Sequence, residues 1–346
     1  MSGRGSPAAR SGSSAPRPRR LLTRRRLLRA GGGLGAVATG LAVSSAVPPS
    51  TADGLTVAGR ARGGPPQDLG WIVWGADPER QRGRLYLPPP EHRVGGADAA
   101  SLPVIVLYHG GGWRDSSGPT YVMGIAQDLA RYGVAVWLPT YRGTPSPGGW
   151  PQTLQDAAAA LDFVAELHDH APFRPDLQRV HVAGHSSGGH LAAWLAGRAP
   201  AQPRLEDTAP GRVVVRSATS LAGVLDLVRA VEEDHDQFVV DLLGGRPDRQ
   251  PRRYRQTSPM AQLPAVVPIN VVHGRADATV PVSTIEPYAR ELRAAGNPGR
   301  VELLDGVAHN DLASAEHWSW RVAREVCLDS VERWRGQTSS AGRRDD

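Results

Sequence analysis

The chain has 346 residues, room for one large domain or two small ones, and its single cysteine, Cys327, excludes an internal disulfide framework. Its basic residues are 40 arginines with no lysine, against 34 acidic residues, for a formal charge of +6. Residues 1–52 hold nine of those arginines and no Asp or Glu, so without them +6 becomes −3, and the charge gives no support to a nucleic-acid partner.

The first 52 residues read as a leader. Residues 1–20 are rich in Ser, Gly, Pro and Arg and cannot form a core. Thr23-Arg24-Arg25-Arg26-Leu27-Leu28-Arg29 then opens onto a Gly/Ala/Leu/Val run over 30–46, with small residues at Ser44 and Ala46. A positive segment, a short apolar run and small residues at its end describe an export signal. The arginine pair points to the twin-arginine route, whose machinery would be a transient partner. The run is short and diluted by glycine against the roughly 20 apolar residues of a membrane-spanning helix, so an uncleaved anchor is the lesser alternative. The expected location is secreted or cell-envelope, and a route that carries folded chains suits a protein without disulfides.

From 53 to 337 apolar runs alternate with helical spacing, the mark of a mainly parallel sheet of about eight strands with helices on both faces. Segments 71–74 and 84–87 read as two leading strands, an antiparallel pair. Segments 104–107, 134–138, 180–183, 213–221, 267–272 and 301–304 read as the strands that follow. Helical spacing runs over 121–131, 152–168, 187–198, 284–295 and 318–335, with Pro151 as a start signal and Gly296 as a stop. Residues 226–262, with Glu232-Glu233-Asp234 and several prolines, break the alternation. They read as a small cap-like excursion over the C-terminal edge of the sheet, where such folds bind ligands. A short tail over 338–346 reads as unstructured.

Two strings carry the chemistry. Gly184-His185-Ser186-Ser187-Gly188 stands between the 180–183 run and a helical stretch, as a nucleophile elbow requires: a strained serine with Oγ exposed, flanked by glycines that let backbone pass close. His109-Gly110-Gly111-Gly112-Trp113 follows the 104–107 run and supplies amides that can face a developing oxyanion. No Cys/His spacing suggests a metal, and the chemistry requires neither metal nor organic cofactor.

These strings, with Thr140-Tyr141-Arg142, His273-Gly274-Arg275-Ala276-Asp277 and Gly306-Val307-Ala308-His309, make the chain resemble α/β-hydrolases of the esterase/lipase group, near the carboxylesterases and arylformamidases that carry H-G-G-x-W. The likeness covers about residues 71–335. Thr140-Tyr141-Arg142-Gly143-Thr144-Pro145 departs from the N-Y-R-L-A-P wording of lipase-like relatives. The resemblance implies an α/β-hydrolase fold and a triad in the order Ser, acid, His. Ser186 is then the nucleophile, Asp277 the acid and His309 the base. Asp226 is the competing acid, and Asp277 could instead be a turn former. Asp305 and Asp311 lie too near His309 in sequence to be favoured. The oxyanion hole would comprise the amides of Gly110, Gly111, Gly112 and Ser187, and Trp113 would either wall the acyl pocket or pack in the core. Cys327 reads as a buried small hydrophobe. The implied function is an exported serine carboxylesterase acting on small-molecule esters. An amidase such as an arylformamidase and an inactive binding protein on the same fold are the alternatives. The acidic stretch over 232–236 disfavours strongly anionic substrates.

Overall fold

The computed structural model describes residues 63–92, 101–145, 147–197, 205 and 211–340; the leader expected over 1–52 lies outside them. The strands are β1 (Gln67–Val73), β2 (Arg82–Leu87), β3 (Ser101–Tyr108), β4 (Ala135–Pro139), β5 (Arg174–His185), β6 (Ser217–Leu221), β7 (Ile269–Gly274) and β8 (Val301–Leu304). They form one sheet in the order β1-β2-β4-β3-β5-β6-β7-β8. β2 pairs antiparallel with β1 and with β4, and every other ladder is parallel.

The α-helices are α1 (Met123–Ala130), α2 (Gln152–Asp162), α3 (Ser187–Ala196), α4 (Leu227–Glu232), α5 (Gln237–Leu243), α6 (Pro251–Thr257), α7 (Val282–Ala294) and α8 (Trp318–Ser340). β3 shows why the run it comes from is apolar throughout. Val104, Val106 and Tyr108 enter a core with α2, α3, α7 and the excursion helices, while Ile105 and Leu107 enter a second core under α1 and α8. A parallel strand covered on both faces cannot alternate polar and apolar residues. Cys327 lies fully buried in the second core, where burial pushes its thiol up to about 12.

Several boundaries differ from the sequence expectation. β5 begins at Arg174, because Arg174 and Pro175 pair with Ser101 and Leu102 before the apolar part of the strand starts. β6 begins at Ser217: Val214 projects into solvent, and the ladder to β7 opens only where Ala218 meets Ile269. The α2 segment tightens into a 3₁₀ helix over Phe163–Asp169. α8 runs through Ser340, so the tail expected from 338 starts within a helix. The excursion carries α4, α5 and α6 and is tied at its neck, where Met260 N–H donates to the Leu225 carbonyl (2.9 Å) and Leu227 N–H to Ser258 Oγ (3.1 Å). The loops that follow β3, β5, β7 and β8 all lie at the carboxyl edge of the parallel strands, the position where this class of sheet builds its crevice.

Candidate active site

Ser186 falls between the last residue of β5 and the first of α3, with φ 57° and ψ −123°, a conformation that L-residues adopt only under constraint. The constraint is close backbone packing. A Cβ on Gly188 would lie 2.1 Å from the Tyr108 carbonyl oxygen, and one on Gly184 2.2 Å from that of Gly188. Ser186 N–H donates to the Leu221 carbonyl (2.8 Å), which pins the turn to β6. Ser187, the first residue of α3, leaves its N–H without an intrahelical acceptor.

The loop after β3 turns through three consecutive positive φ values: Gly111 at 107°, Gly112 at 64° and Trp113 at 55°. Among the described residues no acceptor meets the Gly111 or Gly112 amide, and both residues line the same cavity as Ser186. Gly110 differs from its expected place in the oxyanion set. Its N–H is already committed to the Tyr121 hydroxyl at 2.7 Å, unlike those of Gly111 and Gly112. Trp113 borders the cavity and is also packed in the core. The residue is 1% exposed, its indole stands edge-on to His190 and donates Nε1–H to His190 Nδ1 (3.2 Å), so it holds the loop from beneath. The aromatic residue over the loop is instead Phe238 of α5, whose ring packs so closely on Gly112 that a Cβ there would lie 2.7 Å away. Phe238 is half-exposed, with the Arg114 guanidinium 4.9 Å from its ring centre.

Asp277 lies in the turn after β7. Its Oδ1 accepts the Thr279 and Val280 amides at 2.9 and 2.8 Å, and its Oδ2 accepts His309 Nδ1–H at 2.8 Å. Burial pushes this carboxyl up. The His309 hydrogen bond, the Val280 amide and the charges of His309 and His273 outweigh that, holding it below the ordinary carboxylate value. His309 opens a 3₁₀ turn after β8 and lines the cavity with Ser186. Among the described residues the side-chain hydrogen bond of His309 goes to Asp277 and none joins it to the Ser186 hydroxyl; such contacts commonly tighten only with substrate. Asp226 is elsewhere: it caps α4 by accepting Arg229 N–H (3.2 Å) and lines a separate cleft with Tyr254 and Met260. Asp305 pairs with Arg275 at the surface, and Asp311 accepts the Ala308 amide.

The cavity holding Ser186 and His309 is about 1230 Å³ and open at one side, with Asp234, Asp236 and Glu316 among the residues around it. Asp236 is drawn up mainly by burial, and Asp234 by burial and by Glu233 and Asp236 beside it. Sequence reasoning missed two residues here. Tyr121 lay in an expected helix with no motif around it, and Phe238 lay inside the irregular excursion. Among the described residues no group of three or more His, Cys, Asp or Glu is placed to hold a metal ion.

An eight-stranded, mainly parallel sheet with a strained serine after its fifth strand and an Asp–His pair after its last two is the architecture of an α/β-hydrolase. The family model BD-FAE matches residues 93–292, more than half the chain, and the protein belongs to that family. Among curated proteins it is 30% identical to a probable carboxylic ester hydrolase, LipM, of Mycobacterium tuberculosis over 202 residues, covering 56% of this chain and 45% of LipM. It is 24% identical to a probable isoprenylcysteine alpha-carbonyl methylesterase of rice, covering 71% of this chain and 59% of that one. The chain thus spans about half the length of the curated relatives it matches. Among solved structures, esterase B from Lactobacillus rhamnosis superimposes with a TM-score of 0.66 at 19% identity, covering 82% of this chain and 91% of that one. The esterase Est2 of Thermogutta terrifontis does so at 0.59 and 24% identity, covering 75% and 91%. These structural likenesses speak for the fold.

Proposed function

We propose that this protein is a serine esterase in which Ser186, His309 and Asp277 form the triad. The observation that carries the reading is the buried Asp277 carboxylate on Nδ1 of His309, a residue that lines the same cavity as a serine held at a strained strand-to-helix turn. With Nδ1–H fixed on Asp277, His309 offers Nε2 as the base. It takes the Ser186 proton as Oγ attacks the ester carbonyl, and Asp277 stabilises the imidazolium that forms. The amides of Gly111, Gly112 and Ser187 receive the oxyanion, each such donor being worth roughly 2.7–4 kcal/mol in the transition state. His309 returns the proton to the leaving alcohol, and water activated by the same imidazole releases the acid. The ester-hydrolase and esterase names of the relatives support the choice of bond.

The experiment is direct. Wild type should hydrolyse p-nitrophenyl esters and take a fluorophosphonate label at one site, while Ser186→Ala loses the label and at least about 10³-fold in activity. Full labelling of Ser186→Ala defeats the assignment. Running N-formylkynurenine beside the esters separates esterase from arylformamidase.

We further infer export by the twin-arginine route, on the sequence of residues 23–46. Replacing Arg24, Arg25 and Arg26 by lysine should leave uncleaved precursor inside the cell, read by fractionation and blotting. Undiminished export of that variant refutes the route.

A further inference from the structure

Two histidines bracket the strained serine, one immediately before it and one in the first turn of α3, and each makes the same pair of hydrogen bonds. His185 Nε2 lies 2.8 Å from the His309 carbonyl oxygen and its Nδ1 3.0 Å from the Tyr121 hydroxyl. His190 Nε2 lies 3.0 Å from the Thr257 carbonyl oxygen and its Nδ1 accepts the Trp113 indole N–H at 3.2 Å. A carbonyl oxygen can only accept, so in both rings Nε2 carries the proton and Nδ1 is the acceptor. For His190 the indole, a donor only, independently requires the same tautomer. For His185 it follows that Tyr121 must donate to Nδ1, which leaves its oxygen to accept the Gly110 amide at 2.7 Å. Every polar atom in both chains then has one consistent role. His185 and His190 are fully buried, and the desolvation that dominates their surroundings keeps each ring neutral, with a pKa pushed down to about 4.

The far ends of these chains are what give them meaning. Through Tyr121 and Gly110, His185 joins the glycine loop to the backbone of the very residue that serves as base. Through Trp113, His190 joins the other end of that loop to the excursion at Thr257. The two straps therefore reach the glycine loop at its first residue and just beyond its last, and both cross the elbow. We propose that His185 and His190, with Tyr121 and Trp113, are positioning residues: two neutral-imidazole straps that set the spacing between the oxyanion amides, Ser186 and His309. The proposal rests on the triad reading above. None of the four side chains is required to touch the reacting atoms. The Tyr121 proton is committed to His185, so Tyr121 acts through the loop it holds and not as an oxyanion donor.

The test is a set of double-mutant cycles on kcat and KM for p-nitrophenyl acetate, with melting curves for every variant. Tyr121→Phe removes one hydroxyl from a half-exposed ring and is expected to lower kcat about tenfold with KM within about threefold. His185→Gln keeps a donor toward the His309 carbonyl and loses the acceptor for Tyr121, so its loss should match that of Tyr121→Phe. The double variant should lose no more than the larger single, because both break one strap. His190→Gln breaks the other strap, and its loss should multiply with that of Tyr121→Phe. An unchanged kcat in Tyr121→Phe, or losses from Tyr121→Phe and His185→Gln that simply multiply, overturns the proposal. If His185→Gln does not fold, Tyr121→Phe and His190→Gln decide alone: kcat must fall in each, at steady KM. Fluorophosphonate titration separates this from the underlying reading. A wild type that takes no label, or an active Ser186→Ala, defeats the triad itself, whereas a labelled wild type with an unaffected Tyr121→Phe defeats only the straps.

Discussion

At the scale of single residues, the choice between acids has a sharp consequence. Asp277 holds the tautomer of His309, and replacing such a carboxylate by its amide costs about 10⁴-fold in kcat in a serine protease triad. Asp277→Asn should therefore lose most of its kcat with KM little changed. Asp226 caps α4, a position where Asn serves about as well as Asp, so Asp226→Asn should stay within about twofold of wild type. Steady-state kinetics on one ester settles both; equal losses would place the functional carboxylate elsewhere. The order of Ser186, Asp277 and His309 along the chain was legible because each follows an apolar run, and runs of that kind end at one edge of a parallel sheet. Gly110 was misread because its partner, Tyr121, is eleven residues away with no motif around it, and a backbone amide carries no mark in sequence of whether it is already bonded. Trp113 was ambiguous for a related reason: the indole N–H needs a buried acceptor, and nothing in the string says that His190 provides it.

At the scale of elements, the base of the glycine loop is also steadied by α2, a helix that does not line the cavity. Asp156 of α2 is 2% exposed and accepts from Gln81 Nε2 and from the backbone and guanidinium of Arg142. The neighbouring Tyr141 stacks on His109 at 4.5 Å and donates its hydroxyl to the His109 carbonyl, so the clamp on Arg142 is one residue from the base of the loop. Removing one partner of a buried ion pair typically costs about 3–5 kcal/mol, because the other charge is left uncompensated. Asp156→Ala should accordingly lower the melting temperature by roughly 6–20 °C, at the about 2–4 °C per kcal/mol typical of domains of 150–250 residues. A shift under about 2 °C would mean that Arg142 finds water instead. Strand existence was legible in this sequence and strand ends were not. The polar stretch opening β5 pairs through its backbone alone, which leaves no hydrophobic period to read, while the valines at 213–215 are apolar but stand outside the ladder.

For the whole molecule, the buried histidines set the response to acid. His109, His185 and His190 are held by burial at about 4, and His181 at about 3, against an ordinary 6.5. As pH falls through 6.5 the unfolded chain takes up protons that the folded chain refuses, until the folded values are reached. The stability these groups contribute is thus whole above about pH 6.5 and is lost progressively toward about pH 4. The urea midpoint should be clearly lower at about pH 5 than at about pH 7.5, and equal midpoints would show that these rings are not held neutral. The neck of the excursion bears on a different question, how such a scaffold is remodelled. Two hydrogen bonds close the segment between Leu225 and Met260, so its length is decoupled from the strands on either side. A grafted segment spanning the same two anchors would leave β6 and β7 in register. It would have to satisfy inherited conditions: carbonyls presented to His190, Trp194 and Trp150 where Thr257, Gln256 and Leu242 now stand. The roof over the cavity can then diverge between those anchors, while the residues beneath it keep their places through these backbone acceptors.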